Sequence, residues 1–243
     1  MVTYTLIPSK RQWNSLISGC RNFHPYQISE WGEYKRGGGW TVLRIQAVEK
    51  DQTAFVQICF KKKFPILLGW IVGSVMGHAG LFRKTDLLGF LRQQFNCPVT
   101  YLRANFSIPS DPKQSLALFS AGWQKCPRRI LTDYSLAFDL EKGLDQIRAD
   151  FSANWRRNLK RGTKKNTDVR IVGLDEFHPE QIADLFEQFK AIKSVPLPDL
   201  EEIKKIRTAL GQQIRVAVSR IESELVGLRA FFCSGDQAVD FWA

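Results

Sequence analysis

The chain has 243 residues, 44% of them hydrophobic and 12% aromatic, which is enough for one large core or two smaller ones and too apolar for a disordered protein. Lys and Arg outnumber Asp and Glu by 35 to 24, and the resulting net charge of +11 favours partners rich in phosphate or carboxylate. The opening Met1-Val-Thr-Tyr-Thr-Leu-Ile-Pro8 lacks the basic and apolar regions of a secretory signal, and the greasiest run, Phe64 to Met76, is too short to span a bilayer. The five cysteines (Cys20, Cys59, Cys97, Cys126, Cys233) form no CxxC pair and have no histidine at metal-ligand spacing. They read as buried free thiols in a reducing compartment, which makes a cytoplasmic protein the expectation and leaves association with a membrane surface open.

In chain order, residues 10 to 22 read as a short helix with Trp13, Leu16 and Ile17 on one side. His24-Pro25-Tyr26 breaks it, Ser29 is placed to cap a second helix from Glu30 to Lys35, and Gly37-Gly38-Gly39 forces a turn. Trp40 to Val48, Thr53 to Lys62 and Phe64 to Val72 are β-branched and aromatic runs that predict strands, with Glu49-Lys50-Asp51 as the first hairpin connection. Thr85 to Phe95 has helical spacing of Leu87, Leu88, Leu91 and Phe95, followed by a short strand from Pro98 to Arg103. After a proline-containing loop at 107 to 112 and a helix at Lys113 to Ala121, Cys126-Pro-Arg-Arg129 is the best boundary, dividing the chain into 1–125 and 126–243.

The second part repeats the grammar loosely. Ile130 to Leu140 reads as a strand, 142 to 161 as one helix stopped by Gly162, and Val169 to Leu174 as a strand. Pro179 to Lys193 and Asp199 to Leu210 are amphipathic helices. Ile214 to Arg220 and Leu225 to Phe232 form a hairpin, with Ala238 to Ala243 as a third strand. The fold class is mixed α/β (α+β), antiparallel or mixed sheets with helices packed on them.

Ser152 to Lys165, S-A-N-W-R-R-N-L-K-R-G-T-K-K, carries six Lys or Arg and no acid. Leu144, Ile147, Phe151, Trp155 and Leu159 fall within about a third of the circumference of a helix. Arg156, Arg157, Lys160 and Lys164 point the other way, so the spacing predicts a helix buried on one face that meets something negative with the other. Trp155 and Phe151 are expected in the core rather than as platforms for stacked bases.

Six places, taken together and in order, resemble FemAB-type peptidoglycan bridge aminoacyltransferases and the GNAT acetyltransferases related to them. They are Ile28-Ser-Glu-Trp-Gly-Glu-Tyr-Lys35 followed by Gly39-Trp40, Tyr101-Leu-Arg-Ala-Asn105, Gly122-Trp123, Phe138-Asp139-Leu140, Trp155-Arg-Arg-Asn-Leu-Lys160, and Val239-Asp-Phe-Trp-Ala243. The resemblance implies tandem GNAT-like domains and transfer of an acyl or aminoacyl group from acyl-CoA or aminoacyl-tRNA to an amine. It implies no tightly bound cofactor, the acyl-CoA or aminoacyl-tRNA serving as donor substrate. The acceptor it implies is a UDP- or lipid-linked muramyl peptide. Two departures stand out. Gly69 to Gly77 matches the family's Pro/Gly-rich loop only loosely, and the family continues with more sheet and helix where this chain stops at Ala243. The second domain is therefore expected to be incomplete, in a fragment or a degraded gene product, with an unpaired apolar edge near Phe231, Phe232, Phe241 and Trp242.

By the same resemblance Lys35 contacts the phosphates of a nucleotide-linked acceptor, where the bland alternative is a solvated lysine ending a helix. Arg103, at a strand end, either orients an acceptor carboxylate or forms a surface ion pair. Arg157, Lys160, Arg161 and Lys164 either hold phosphate of the donor tRNA or of the acceptor's diphosphate, or form a solubilising face. No Gly-x-Ser-x-Gly elbow is present, which weighs against a hydrolase. Asp139 and Asp240 sit among apolar neighbours, but neither is nominated as a base, and His24, His78 and His178 have no triad partner. The alternatives to a transferase are a non-catalytic basic module that binds RNA or another polyanion, and an inactive remnant.

Overall fold

The computed structural model describes residues 1–20, 23–106, 112–126, 138–164, 168–192, 197–222 and 224–242. The first half is built on a six-stranded sheet made of β1 (Thr3–Leu6), β2 (Thr41–Glu49), β3 (Gln52–Lys63), β4 (Ile66–Gly73), β5 (Met76–Gly77) and β6 (Val99–Phe106). The strand order is β1-β2-β3-β4-β6, with β5 pairing β3. All pairs are antiparallel except β4 with β6, which run parallel from Ile66 opposite Val99 to Gly73 opposite Phe106. A parallel pair needs a crossover, and helix α3 (Lys84–Phe95) supplies it. Its Leu87 and Leu91 are fully buried against Phe60, Leu67 and Ile71 on one face of the sheet.

Helices α1 (Lys10–Ile17) and α2 (Ser29–Gly37) lie with the other face and are joined through a 3-10 turn at Pro25–Gln27, while α4 (Pro112–Ser120) follows β6. The second half contains α5 (Leu144–Asp150), α6 (Ala153–Lys164), β7 (Asp168–Gly173), α7 (Pro179–Ile192), α8 (Leu200–Leu210), β8 (Ile214–Ile221), β9 (Glu224–Ser234) and β10 (Gln237–Trp242). Its four strands form an antiparallel meander in the order β10-β9-β8-β7. One hydrophobic cluster spans both halves, joining Trp13, Ile17 and Trp31 to Ile203, Ile206, Phe232 and Trp242. Aromatic contacts tie the seam, with the ring centroids of Tyr26 and Phe232 at 5.5 Å.

The mixed α/β expectation holds, with several corrections. Residues 142 to 161 are two helices rather than one, because the chain is extended at Phe151. The second of them runs through Gly162 to Lys164. Neither α5 nor α6 buries a residue: Trp155 is 64% exposed and Leu159 44%, so neither the expected buried face nor the expected core placement of Trp155 is present. Phe138 to Leu140 are not in a strand, and the rest of that expected strand lies outside the described residues, as does most of the 126–129 boundary. Ser29 is the first residue of α2 and not its cap; its amide donates to Asn14 Oδ1 at 2.9 Å, so α1 caps α2. Arg103 lies within β6 and not at its end. Phe232 and Trp242, expected on a bare edge, are buried at the seam between the halves. All five cysteines are free thiols, but only Cys59 and Cys97 are buried.

Candidate functional site on the first sheet

Helix α2 sits unusually close to the sheet because residue 32 is glycine: a Cβ there would overlap Gln57 Oε1 and approach Arg44 Nη2 to 3.1 Å. The close approach is filled by a buried polar network. Gln27 Nε2 donates to the Val72 carbonyl at 2.7 Å, and the Gln57 amide donates to Gln27 Oε1 at 2.7 Å. Arg44 Nε donates to Gln57 Oε1 at 2.9 Å, and Arg44 Nη2 donates to Glu33 Oε1 at 2.8 Å. Burial pushes the Glu33 carboxyl up, but the hydrogen bond from Arg44 and the charges of Arg36 and Lys10 outweigh it and leave the group below its usual value. These bonds fix the direction of α2, and with it the side chain at the helix end.

That side chain is Lys35. Its ammonium lies 4.5 Å from the Trp31 ring centroid and 4.8 Å from that of Tyr34, in cation–π range of both. It forms no ion pair among the described residues. Desolvation lowers its pKa, with Cys59 and Glu202 acting in the opposite sense and Lys61 reinforcing the fall. Lys35 is therefore a half-buried, poorly solvated cation rather than a solvated helix end, a state that an anion would relieve. Tyr34 donates its hydroxyl to Glu202 of α8, so the second half buttresses the same spot. The Cys59 thiol beside Lys35 is pushed up to about 11 by burial, despite Lys35, Arg44 and Arg36, and stays protonated.

Strand register extends the site. Val42, Cys59, Trp70 and Arg103 lie opposite one another across β2, β3, β4 and β6, so their side chains share a face. Arg103 stands two strands from Cys59, about 10 Å at the usual strand spacing. Lys61, two residues beyond Cys59, lies 5.0 Å from the Trp40 ring, and Trp40 and Trp70 are 6.3 Å apart by centroids. Tyr101 and Leu68 continue the face, exposed by 53% and 45%. The buried Trp31 indole N–H has no hydrogen-bond partner among the described residues. The arrangement is an open strip of aromatic rings with three cations, Lys35, Lys61 and Arg103, suited to a ligand that combines phosphate or carboxylate with flat or apolar groups.

Of the residues expected from the sequence, Lys35 and Arg103 come to this one face. Arg157, Lys160, Arg161 and Lys164 are on α6, exposed, with Arg157 donating to Asn154 Oδ1 at 2.8 Å. Asp240 is held by Arg229 through bonds of 2.7 and 3.1 Å, and Asp139 accepts from the amide of Glu141. His24 is buried, accepts from the Tyr26 amide at 3.2 Å, and is driven down to about 4 by desolvation. Sequence reading missed Lys61, Trp40, Trp70 and Glu202. The four-residue spacing of Trp31 and Lys35 on a helix was the available clue; the others meet only through register and tertiary packing. A cavity of about 820 Å³ elsewhere, between α1 and the β9–β10 turn, is lined by Asn14, Cys20, Glu30 and Asp236 among others and by no cation among the described residues. Among those residues no cluster of three or more His, Cys, Asp or Glu could hold a metal, and no helix is long and apolar enough to cross a membrane.

The architecture, a sheet with a parallel β4–β6 pair and a second antiparallel sheet sharing its core, has a counterpart among solved structures. The crystal structure of FemX superposes with a TM-score of 0.70 at 16% identity, covering 90% of this chain and 58% of FemX. The chain thus spans less than two thirds of FemX's length. A second structure, the C-terminal DUF2156 domain of a putative lysylphosphatidylglycerol synthetase from Agrobacterium fabrum, aligns over 97% of this chain and 70% of its own at 15% identity, with a TM-score of 0.45. No protein-family model and no curated protein matches the sequence.

Proposed function

We propose that the protein is a FemAB-like transferase that moves an acyl or aminoacyl group from aminoacyl-tRNA or acyl-CoA to the amine of a muramyl-peptide acceptor. The observation that carries this reading is Lys35, a partly desolvated ammonium with no ion pair among the described residues, held by Trp31 and Tyr34 on the same sheet face as Arg103, on a fold shared with FemX. Lys35 binds acceptor phosphate, and Arg103 orients an acceptor carboxylate. In the reaction the acceptor nitrogen attacks the ester or thioester carbonyl. A C–N bond forms, the C–O or C–S bond breaks, and the nitrogen's proton leaves with the hydroxyl or thiol. Positioning and charge stabilisation serve this chemistry without a nucleophilic side chain.

The test is to mix the protein with muramyl-peptide acceptor and either donor and to weigh the product by mass spectrometry. The expected result is an acceptor heavier by one acyl or aminoacyl group. Lys35→Met raises KM for the acceptor about ten- to a hundredfold, the size of a lost hydrogen bond to a charged group. Failure of both donors overturns the transferase reading, and salt-sensitive RNA binding without turnover would mark a non-catalytic module instead.

A further inference from the structure

Helix α6 contributes no residue to the hydrophobic clusters of the second half. It is twelve residues long, a length at which an isolated helix is marginal in water, and it buries no side chain. Its composition is also lopsided. Arg156, Arg157, Lys160, Arg161 and Lys164 occupy one broad side, no acid lies within the helix, and Lys160, Arg161 and Lys164 form no ion pair among the described residues. Trp155 and Leu159, one turn apart, form an apolar stripe on the other side that stays in water. Arg156 closes the preceding helix by donating to the carbonyl of Ala149 at 2.9 Å, which fixes how α6 leaves α5.

We infer that α6 is a docking element for an anionic membrane surface, lying in the interface with Trp155 and Leu159 inserted among headgroups and upper acyl chains. A helix with Trp and Leu on one side and Lys and Arg on the other has the form of an interfacial amphipathic helix. Charge complementarity selects anionic lipid, since each cation near such a surface adds attraction. An RNA partner would use the cations and could stack on Trp155, but it would leave Leu159 unexplained; a lipid interface uses both. The inference does not rest on the transferase reading.

Flotation of the whole chain with phosphatidylcholine vesicles, with and without phosphatidylglycerol, tests it. Binding is expected only when phosphatidylglycerol is present and is released by raised salt. The W155S/L159S variant loses binding while keeping the wild-type circular dichroism and unfolding midpoint, because both side chains are exposed. Removing charge with K160Q or R161Q weakens partitioning about fivefold per residue. Equal binding to neutral vesicles, or full binding by W155S/L159S, overturns the proposal. So does a chain that ignores vesicles but binds tRNA, or one that forms a dimer in light scattering that W155S/L159S abolishes.

Discussion

Helices α2 and α6 are made of similar material, each a short helix with a tryptophan and cations near its C-terminal end, yet they stand in opposite environments. Trp31 of α2 is 8% exposed and belongs to the cluster shared by both halves, whereas Trp155 of α6 is 64% exposed. What separates them lies outside their own apolar pattern. A glycine at 32 lets α2 approach the sheet, and Gln27, Arg44 and Gln57 satisfy the backbone and side-chain polar groups that the approach buries. Among the described residues no comparable partner set surrounds α6. An amphipathic stripe therefore says that a helix forms, while the surrounding side chains decide what covers it.

The contrast can be broken from the α2 side first. Trp31→Ala should cost about 3–5 kcal/mol, the usual range for emptying a buried tryptophan site, and urea unfolding measures it. A loss below about 1 kcal/mol would mean that the shared core does not depend on α2. A smaller effect, of about 3 kcal/mol, is expected from His24 between pH 7 and pH 4. Its folded pKa is near 4 against 6.5 when unfolded, so between these values the unfolded chain binds a proton that the native state does not. Stability is full above pH 6.5 and is lost as the pH falls towards 4; His24→Gln should flatten that slope in denaturation series, and an unchanged slope would exclude His24 as its source. Gly32→Ala comes next, destabilising by about 1–2 kcal/mol, because the new methyl group disturbs a Gln57 already held by several hydrogen bonds even though alanine is the better helix former. Smallest is Trp155→Ala, which should move the unfolding midpoint by less than about 0.5 kcal/mol equivalent in the absence of lipid.

Much of the architecture was legible in the sequence, for local reasons. The β-branched runs of β2, β3 and β4, the hairpin of β8 and β9, and the apolar spacing of α7 and α8, with Asp199 capping the latter, all express short-range rules. The break between α5 and α6 was hidden because Ile147, Phe151 and Trp155 keep a helical spacing straight across it; Ser152, whose hydroxyl accepts from the Trp155 amide at 3.4 Å, was the signal to stop. Strand β1 was overlooked because four residues carry little periodicity. At the site, Lys35 could be singled out from the sequence, but Lys61, Trp40 and Trp70 could not. Their meeting depends on which residues of β3 and β4 stand opposite, a consequence of register that no single segment encodes.

The shared core has a consequence for how the molecule is made. Trp13, Ile17 and Trp31 leave the ribosome well before Phe232 and Trp242, with which they share a core. While the first sheet closes over α3, the opposite side of α1 and α2 keeps its tryptophans uncovered until the second meander has been synthesised. For that interval the nascent chain presents a sticky surface, and it falls to chaperones, or to the speed of translation, to keep it from finding the wrong partner.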